Sequence, residues 1–442
     1  MRRITFDRFE DRYARRMGGM RSSAMRDLMA ITSRPEVISL AGGLPDTAAF
    51  DPAVLEQITR DVASTRSAAA LQYGPTEGLL ETRELVVEVM RTEGMTVRPE
   101  DIIITTGGQQ VLDLVARTFI DPGDVVLAEG PTYPGVVPVF SACQADVRQV
   151  PLDAEGLDPA AVESALDELA REGLRAKYLY TIPTFHNPGG TSTTLERRKR
   201  LVALAAERDL LILEDNPYSL LRYEGDPVPT LHQLDQALDG DGNVMYLGTF
   251  SKIFAPGVRL GWVAAPPEIL QRLNMVKQAA DLCSSTFSQL VVTRFFTTCD
   301  WQAYIDGLVG VYRGPRNGLL DALDEYLPVG STFTRPRGGL FVWATLPPAV
   351  DTTDLLPRAL SANVAFVPGA AAWLDGRTSS SMRLNFSAMT EERITEGVRR
   401  IGAAADDVLT LSRSLGLADG VASPRATADT DSATETASEV PK

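Results

Sequence analysis

Histidine is nearly absent from this chain: its 442 residues include two, His186 and His232. That count excludes a His-rich metal centre, and a Ser/His/Asp hydrolase would depend on one of just two imidazoles. Cysteine is scarce too. Cys143, Cys283 and Cys299 form an odd set without metal-site spacing or a framework of pairs, so they read as small buried hydrophobes in a reducing cytosol. No apolar run is long enough to span a bilayer, and the charged start of the chain does not have the form of a secretory signal. A soluble cytoplasmic protein is expected. Positive charge is in deficit, with 58 acidic residues against 43 basic, a formal net charge of -15 and no basic run. Such a field repels phosphate backbones, which argues against a nucleic-acid partner and requires local arginines to hold any anionic ligand. The shortage of histidine favours a cofactor that carries the chemistry.

What is present is enough apolar sequence, 44% of residues, for one large core and a smaller one. The expected division is an N-terminal arm at 1–38, a large domain at 39–310, a small domain at 311–414 completed by part of the arm, and a tail at 415–442. The arm breaks at Gly18-Gly19 before a helix-like run at 22–30, with Arg26 pointing off its apolar side. The tail is rich in Ala, Ser, Thr, Asp and Glu and cannot bury enough surface to offset its ordering entropy, so disorder is expected there.

From Ile102 onward, short apolar strands alternate with helices, the sign of a parallel sheet covered on both faces. Strands are expected at 102–106, 125–128, 178–182 and 210–213, with a helix at 111–119. A helical stretch at 267–296 and a long helix at 305–327, kinked or broken by Pro315, lead to the smaller domain. There, strands at 340–346, 364–367 and 382–386 precede an amphipathic helix with Ile394, Val398 and Ile401 on one face.

The stretch around which these elements are organised is YLGTFSKIFAPGVRLGW, Tyr246 to Trp262. It reads as a strand, a turn carrying Lys252, and a second apolar run. Lys252 lies between the hydroxyls Thr249 and Ser251 and near the guanidinium of Arg259. Partial desolvation and a neighbouring cation lower a lysine pKa toward the unprotonated state needed to attack a carbonyl. The same hydroxyls and cation suit a phosphate. Gly107-Gly108-Gln109, at a strand-to-helix turn, offers free backbone N–H groups and the positive end of a helix dipole, the other half of an anion cup. The apolar run from Leu210 ends in Glu214 and Asp215, with Tyr218 three residues on, so it places charge where a buried strand emerges.

The string S-K-x-x-x-P-G-x-R-x-G resembles the lysine signature of fold-type I, class I/II aminotransferases dependent on pyridoxal phosphate. The resemblance spans residues 39–387, with several motifs in the same order. SLAGGLP at 39–45 and Arg26 are similar to the α-aminoadipate and kynurenine aminotransferase subgroup. The resemblance implies an α/β fold with a large domain built on a mostly parallel sheet and a smaller α/β C-terminal domain. It also implies pyridoxal 5'-phosphate bound covalently to Lys252. By the same resemblance, Asp215 meets the pyridine nitrogen, Tyr133 stacks on the ring, and Asn187 and Tyr218 bond the phenolic oxygen. Gly108, Gln109, Thr249, Ser251 and Arg259 would hold the phosphate. Tyr73 would reach the phosphate of a neighbouring subunit, implying a homodimer with shared sites. Arg383 would fork onto the substrate α-carboxylate, with Gly42, Gly43 and Arg26 in the substrate pocket. His186 is read as packing behind the ring, or as a group that moves protons or meets oxygen.

The implied reaction carries an amino group from an aromatic, aliphatic or 2-aminoadipate-like L-amino acid to a 2-oxo acid such as 2-oxoglutarate, by a ping-pong course. Two alternatives stand beside it. One is another pyridoxal-phosphate chemistry, such as a β-lyase, a decarboxylase or an oxygen-using oxidase, suggested by the unusual H-N-P-G-G loop. The other is an aminotransferase-like transcription regulator, which would need a DNA-binding segment that the short arm leaves no room for.

Overall fold

The computed structural model describes residues 7–20, 28, 34–43, 45–46, 50–238 and 242–415. Arg26 and the tail beyond Leu415 lie outside the described residues. The first strand, β1 (Ile38–Ser39), lies apart from the main sheet, which holds β2 (Ile102–Thr105), β3 (Val125–Gly130), β4 (Asp146–Asp153), β5 (Gly156–Leu157), β6 (Ala176–Thr181), β7 (Ile212–Asp215), β8 (Val244–Thr249) and β9 (Gly261–Ala264). Their order across the sheet is β2-β9-β8-β7-β6-β3-β4-β5. Neighbours from β8 through β4 pair in parallel, while β9 and β5 run against the rest. Strands β2, β3, β7, β8 and β9 are buried along their whole length. Side chains on the two faces of the sheet feed separate clusters under flanking helices, as expected of a parallel sheet covered twice.

The second sheet contains β10 (Thr332–Phe333), β11 (Phe341–Thr345), β13 (Val367–Pro368) and β14 (Ser381–Asn385), in the order β10-β11-β14-β13, all antiparallel. The strand expected at 364–367 is two strands. β12 (Val364–Ala365) pairs in parallel with β1, and β13 turns to β14. Phe366, fully buried between them, anchors the change of direction. The second core is closed by the helix Glu391–Ser414, whose Ile394, Val398 and Ile401 are completely buried.

Two helical expectations are corrected. The run at 267–296 is two helices, Pro267–Ala280 and Thr286–Thr298. The Ser285 side chain accepts from the Ser288 N–H and starts the second helix, which a serine does better than it continues one. Pro315 does not break the helix expected around it but lies inside a single one, Trp301–Tyr326. Ile305, Leu308 and Tyr312 before it, and Leu319 and Leu323 after it, are all buried, so packing on both sides offsets the one lost backbone bond. The helix expected at 111–119 begins at Gly108, because the turn residue Gly107 already caps it with φ 77°. The three cysteines are unpaired and half-buried rather than fully buried. Among the described residues no helix is long and apolar enough to cross a membrane, and no group of three or more His, Cys, Asp or Glu side chains could hold a metal ion.

Candidate active site

Strands β2, β3, β6, β7 and β8 bring their carboxyl ends to one edge of the main sheet, the usual place for a ligand in an open α/β sheet. After them come Gly108 and Gln109, Tyr133, Asn187, Asp215 with Tyr218, and Thr249 with Ser251 and Lys252. Arg259 enters from the turn before β9, Gly42 and Gly43 follow β1, and Arg383 reaches across from β14. All of these line one cavity of about 370 Å³, within the usual range of small-molecule sites of roughly 300–1,000 Å³. Tyr73 does not: it is 79% exposed and outside that lining. Phe341, on β11, lines the cavity and was not anticipated. Its signal is a pairing across the fold, with the Arg383 guanidinium 4.3 Å from its ring centre, and nothing local in sequence announces it.

One end of the cavity is an anion cup. The helix Gly108–Phe119 brings its first residues, Gly108 and Gln109, to the cavity lining, where a helix start offers N–H groups that lack an intrahelical partner. Thr249 Oγ1 donates to Ser251 Oγ at 3.0 Å and accepts from the Ser251 N–H at 3.1 Å, holding both hydroxyls beside the helix end. A side chain on Gly107 would collide with the Arg259 guanidinium, so the backbone approaches that charge as closely as glycine allows. Gly261 is equally constrained, because a Cβ there would lie 2.7 Å from Gly108 N, 2.8 Å from Gly107 C and 2.9 Å from Gly248 O. All three are backbone atoms that cannot rotate away. Gly261→Ala is therefore expected to distort the cup, costing about 1–3 kcal/mol of stability and weakening cofactor affinity about tenfold, as measured by equilibrium dialysis. Unchanged affinity would detach this turn from phosphate binding.

At the floor stands Asp215, almost completely buried. Burial pushes its carboxyl up to about 7 despite a hydrogen bond from Tyr180 that works the other way, and the nearby Glu129 adds to the rise. A carboxylate so placed is stabilised by a cation beside it. Above it, Asn187 accepts from Arg383 Nη1 at 3.1 Å through Oδ1 and directs its amide to the Tyr218 hydroxyl. Tyr133 sits at the wall with its phenol pushed up chiefly by burial. Gly135 has no side chain because one would overlap the Tyr133 ring, and its carbonyl accepts from Gln109 Nε2 at 2.9 Å.

Lys252 is half-buried, and its Nζ donates to the Gly43 carbonyl at 2.7 Å. Burial first, then the charges of Arg383 and Arg259, bring its pKa from 10.5 down to about 8. The Arg383 Nη2 donates to the carbonyls of Ala41 and Gly42 at 2.9 and 3.1 Å, so the SLAGGLP segment is tied directly to this guanidinium. His186 lies outside the cavity lining. Its Nδ1 accepts from the Gly189 N–H at 2.9 Å, which leaves the proton on Nε2. Nε2 is 3.1 Å from Glu129 Oε2 without good hydrogen-bond alignment. His186 thus braces the Asn187 turn from behind.

A half-buried amine able to lose its proton, a buried acid, two phenols, a carboxamide and an anion cup fit an aldehyde-bearing phosphorylated pyridine. They define the pocket of a pyridoxal-phosphate enzyme. The family model for aminotransferase class I and II matches residues 35–401, and the chain belongs to that family. It is 42% identical over 394 residues to an aromatic-amino-acid aminotransferase of Thermococcus litoralis, covering 89% of this chain and 94% of that one. It is 38% identical over 403 residues to a 2-aminoadipate transaminase of Thermus thermophilus, covering 91% and 98%. Among solved structures, the kynurenine aminotransferase of Pyrococcus horikoshii superposes with a TM-score of 0.86 at 38% identity, covering 91% of this chain and 99% of that chain. The protein is an aminotransferase, and its cofactor is pyridoxal phosphate.

Proposed function

We propose that this enzyme moves the amino group of an aromatic, aliphatic or 2-aminoadipate-like L-amino acid to 2-oxoglutarate, with Lys252, Asp215, Tyr133 and Arg383 as its working residues. The observation that carries the reading is the Lys252 amine, brought to a pKa of about 8 in the same cavity as the Asp215 carboxylate and the Arg383 fork. When bound, the cofactor ring accepts the electron pair left at the amino acid Cα. Lys252 Nζ would hold the cofactor's aldehyde and, once released, would carry the proton from Cα. Asp215 would keep a positive charge on the pyridine nitrogen, and the flat Tyr133 ring would pack against the heterocycle. Asn187 and Tyr218 would bond its phenolic oxygen. Gly108, Gln109, Thr249, Ser251 and Arg259 would hold its phosphate. Arg383, at the cavity wall, would hold the α-carboxylate through its charge and so help to orient the substrate. Gly42 and Gly43 form the near wall, where Phe341 supplies an apolar surface suited to a large side chain.

The substrate range is supported by the names of the relatives, which act on aromatic amino acids, 2-aminoadipate and kynurenine. The homodimer reading is supported by the exposed apolar side chains of Leu71, Tyr73, Leu282 and Phe287, which a partner subunit would cover. Thr286 Oγ1 donates to the carbonyls of Ala70 and Gln72, so these residues form one surface. Tyr73 then serves the site of the other subunit. The boundary between the large and small domains falls within the helix Trp301–Tyr326, which borders both cores. Three unpaired cysteines suit the cytoplasm. Incubating purified enzyme with single L-amino acids and 2-oxoglutarate tests the reading. Stoichiometric glutamate is expected; ammonia, carbon dioxide or peroxide in its place would establish a different chemistry on this scaffold.

A further inference from the structure

The Asp215 carboxylate is held from behind. Tyr180 lies on β6, where its cross-strand partner is Leu213 of β7, so Asp215 stands diagonally across from it on the same face of the sheet. The Tyr180 hydroxyl donates to Asp215 Oδ2 at 2.8 Å, and among the described residues it is the one hydrogen-bond donor to that carboxylate. Tyr180 is completely buried and stands outside the cavity lining, whereas Asp215 is part of it. One carboxylate oxygen is therefore committed to the interior of the sheet and the other is left for the cavity. Glu129, another buried acid at this edge, is satisfied separately by Thr181 Oγ1 at 2.6 Å and the Ile182 N–H at 2.8 Å, so it does not share Tyr180.

We propose that Tyr180 is a positioning residue for the reaction: its hydroxyl turns Asp215 Oδ1 toward the cofactor's pyridine nitrogen and keeps the carboxylate ionised in a buried place. This rests on the assignment of Asp215 to that nitrogen. The physical need is clear, because an isolated carboxylate in a dry site takes up a proton, and a neutral acid holds a pyridinium poorly. A single charge-assisted hydrogen bond from Tyr180 works against that loss. Packing alone does not account for the hydroxyl. The Tyr180 ring meets Phe140 edge-on, with centroids 6.2 Å apart, and phenylalanine would keep that contact.

The test compares Tyr180→Phe with Asp215→Asn and with Tyr178→Phe, which removes a phenol from the same face of the same strand. Each variant holoenzyme is read for pyridoxal-phosphate affinity, for the pH midpoint of its visible absorbance without substrate, and for kcat and KM. Tyr180→Phe is expected to bind the cofactor about tenfold more weakly and to lose about tenfold in kcat, with KM changed less than about twofold. Its absorbance midpoint should move to higher pH. A less positive pyridine withdraws less charge from the nitrogen of Lys252, which then keeps its proton longer. Tyr178→Phe should leave all three readouts near the parent values. If Tyr180→Phe behaves as the parent while Asp215→Asn collapses, or if Tyr178→Phe shifts the midpoint equally, the role of Tyr180 is overturned and that of Asp215 stands. If Asp215→Asn changes nothing either, the assignment of Asp215 itself fails. Should Tyr180→Phe not fold, 3-fluorotyrosine at position 180, a stronger donor of the same shape, must lower the midpoint; no change overturns the inference.

Discussion

Lys252→Ala is expected to lower transamination by about 10⁴-fold, the upper end of what a positioned proton carrier contributes, and to leave the cofactor removable by simple dialysis. The proposed function puts covalent attachment and proton transfer on one nitrogen, so the expected loss is larger than for any neighbour. Lys252→Arg should not restore activity, because a guanidinium keeps its proton throughout the working range. The structure also sets a pH dependence. Nζ is competent only when unprotonated, and its pKa is lowered to about 8. The rate at which cofactor-free protein takes up the aldehyde should therefore rise as pH climbs toward 8 and level off above it. An ordinary lysine would keep rising to about 10.4. A profile with its midpoint near that ordinary value would refute the desolvation argument. Borohydride treatment of the parent enzyme followed by peptide mapping should locate the label at Lys252.

Arg383→Ala is the second large effect, and its signature differs. KM for both the amino acid and the oxo acid should rise by about 10²- to 10³-fold, since two charge-assisted bonds to the α-carboxylate are lost together. Cofactor affinity should change little, because Arg383 is not part of the anion cup. Stability should drop by about 2–3 kcal/mol as the Ala41 and Gly42 carbonyls and Asn187 Oδ1 lose a buried donor. Arg383→Lys keeps the charge but loses the fork, and is expected to recover only part of the KM. Burial brings this guanidinium down to about 10, so it remains charged at neutral pH and the substrate effect should be flat from pH 6 to 9. A KM unchanged by either variant would move substrate recognition elsewhere.

Much of this site was legible before any coordinates. Of the motif residues named from local strings, Gly108, Gln109, Tyr133, Asn187, Asp215, Tyr218, Thr249, Ser251, Lys252, Arg259 and Arg383 line one cavity, because most of these strings combine a strand end with the turn that follows it, and parallel strands deliver such turns to one edge. What was not legible has no local signal. Phe341 matters only because β11 lies beside β14. Tyr180 matters only because β6 lies beside β7, and in sequence it is one more aromatic in an apolar run. His186 lies beside Asn187 in the chain, yet its ring turns back to Glu129 while Asn187 enters the cavity. Pro315 gave the opposite difficulty. Its local preference for breaking a helix was overridden by buried contacts on both sides.

The chain's residue order alone determined the class of chemistry and the presence of an alternating α/β sheet, since these depend on short strings and on periodicity within one element. The tertiary structure decided which side chains stand behind those that line the cavity, how far burial shifts Lys252 and Asp215, and that Tyr73 is exposed outside its own chain's cavity. Those depend on register and desolvation, which exist only once distant strands have packed together.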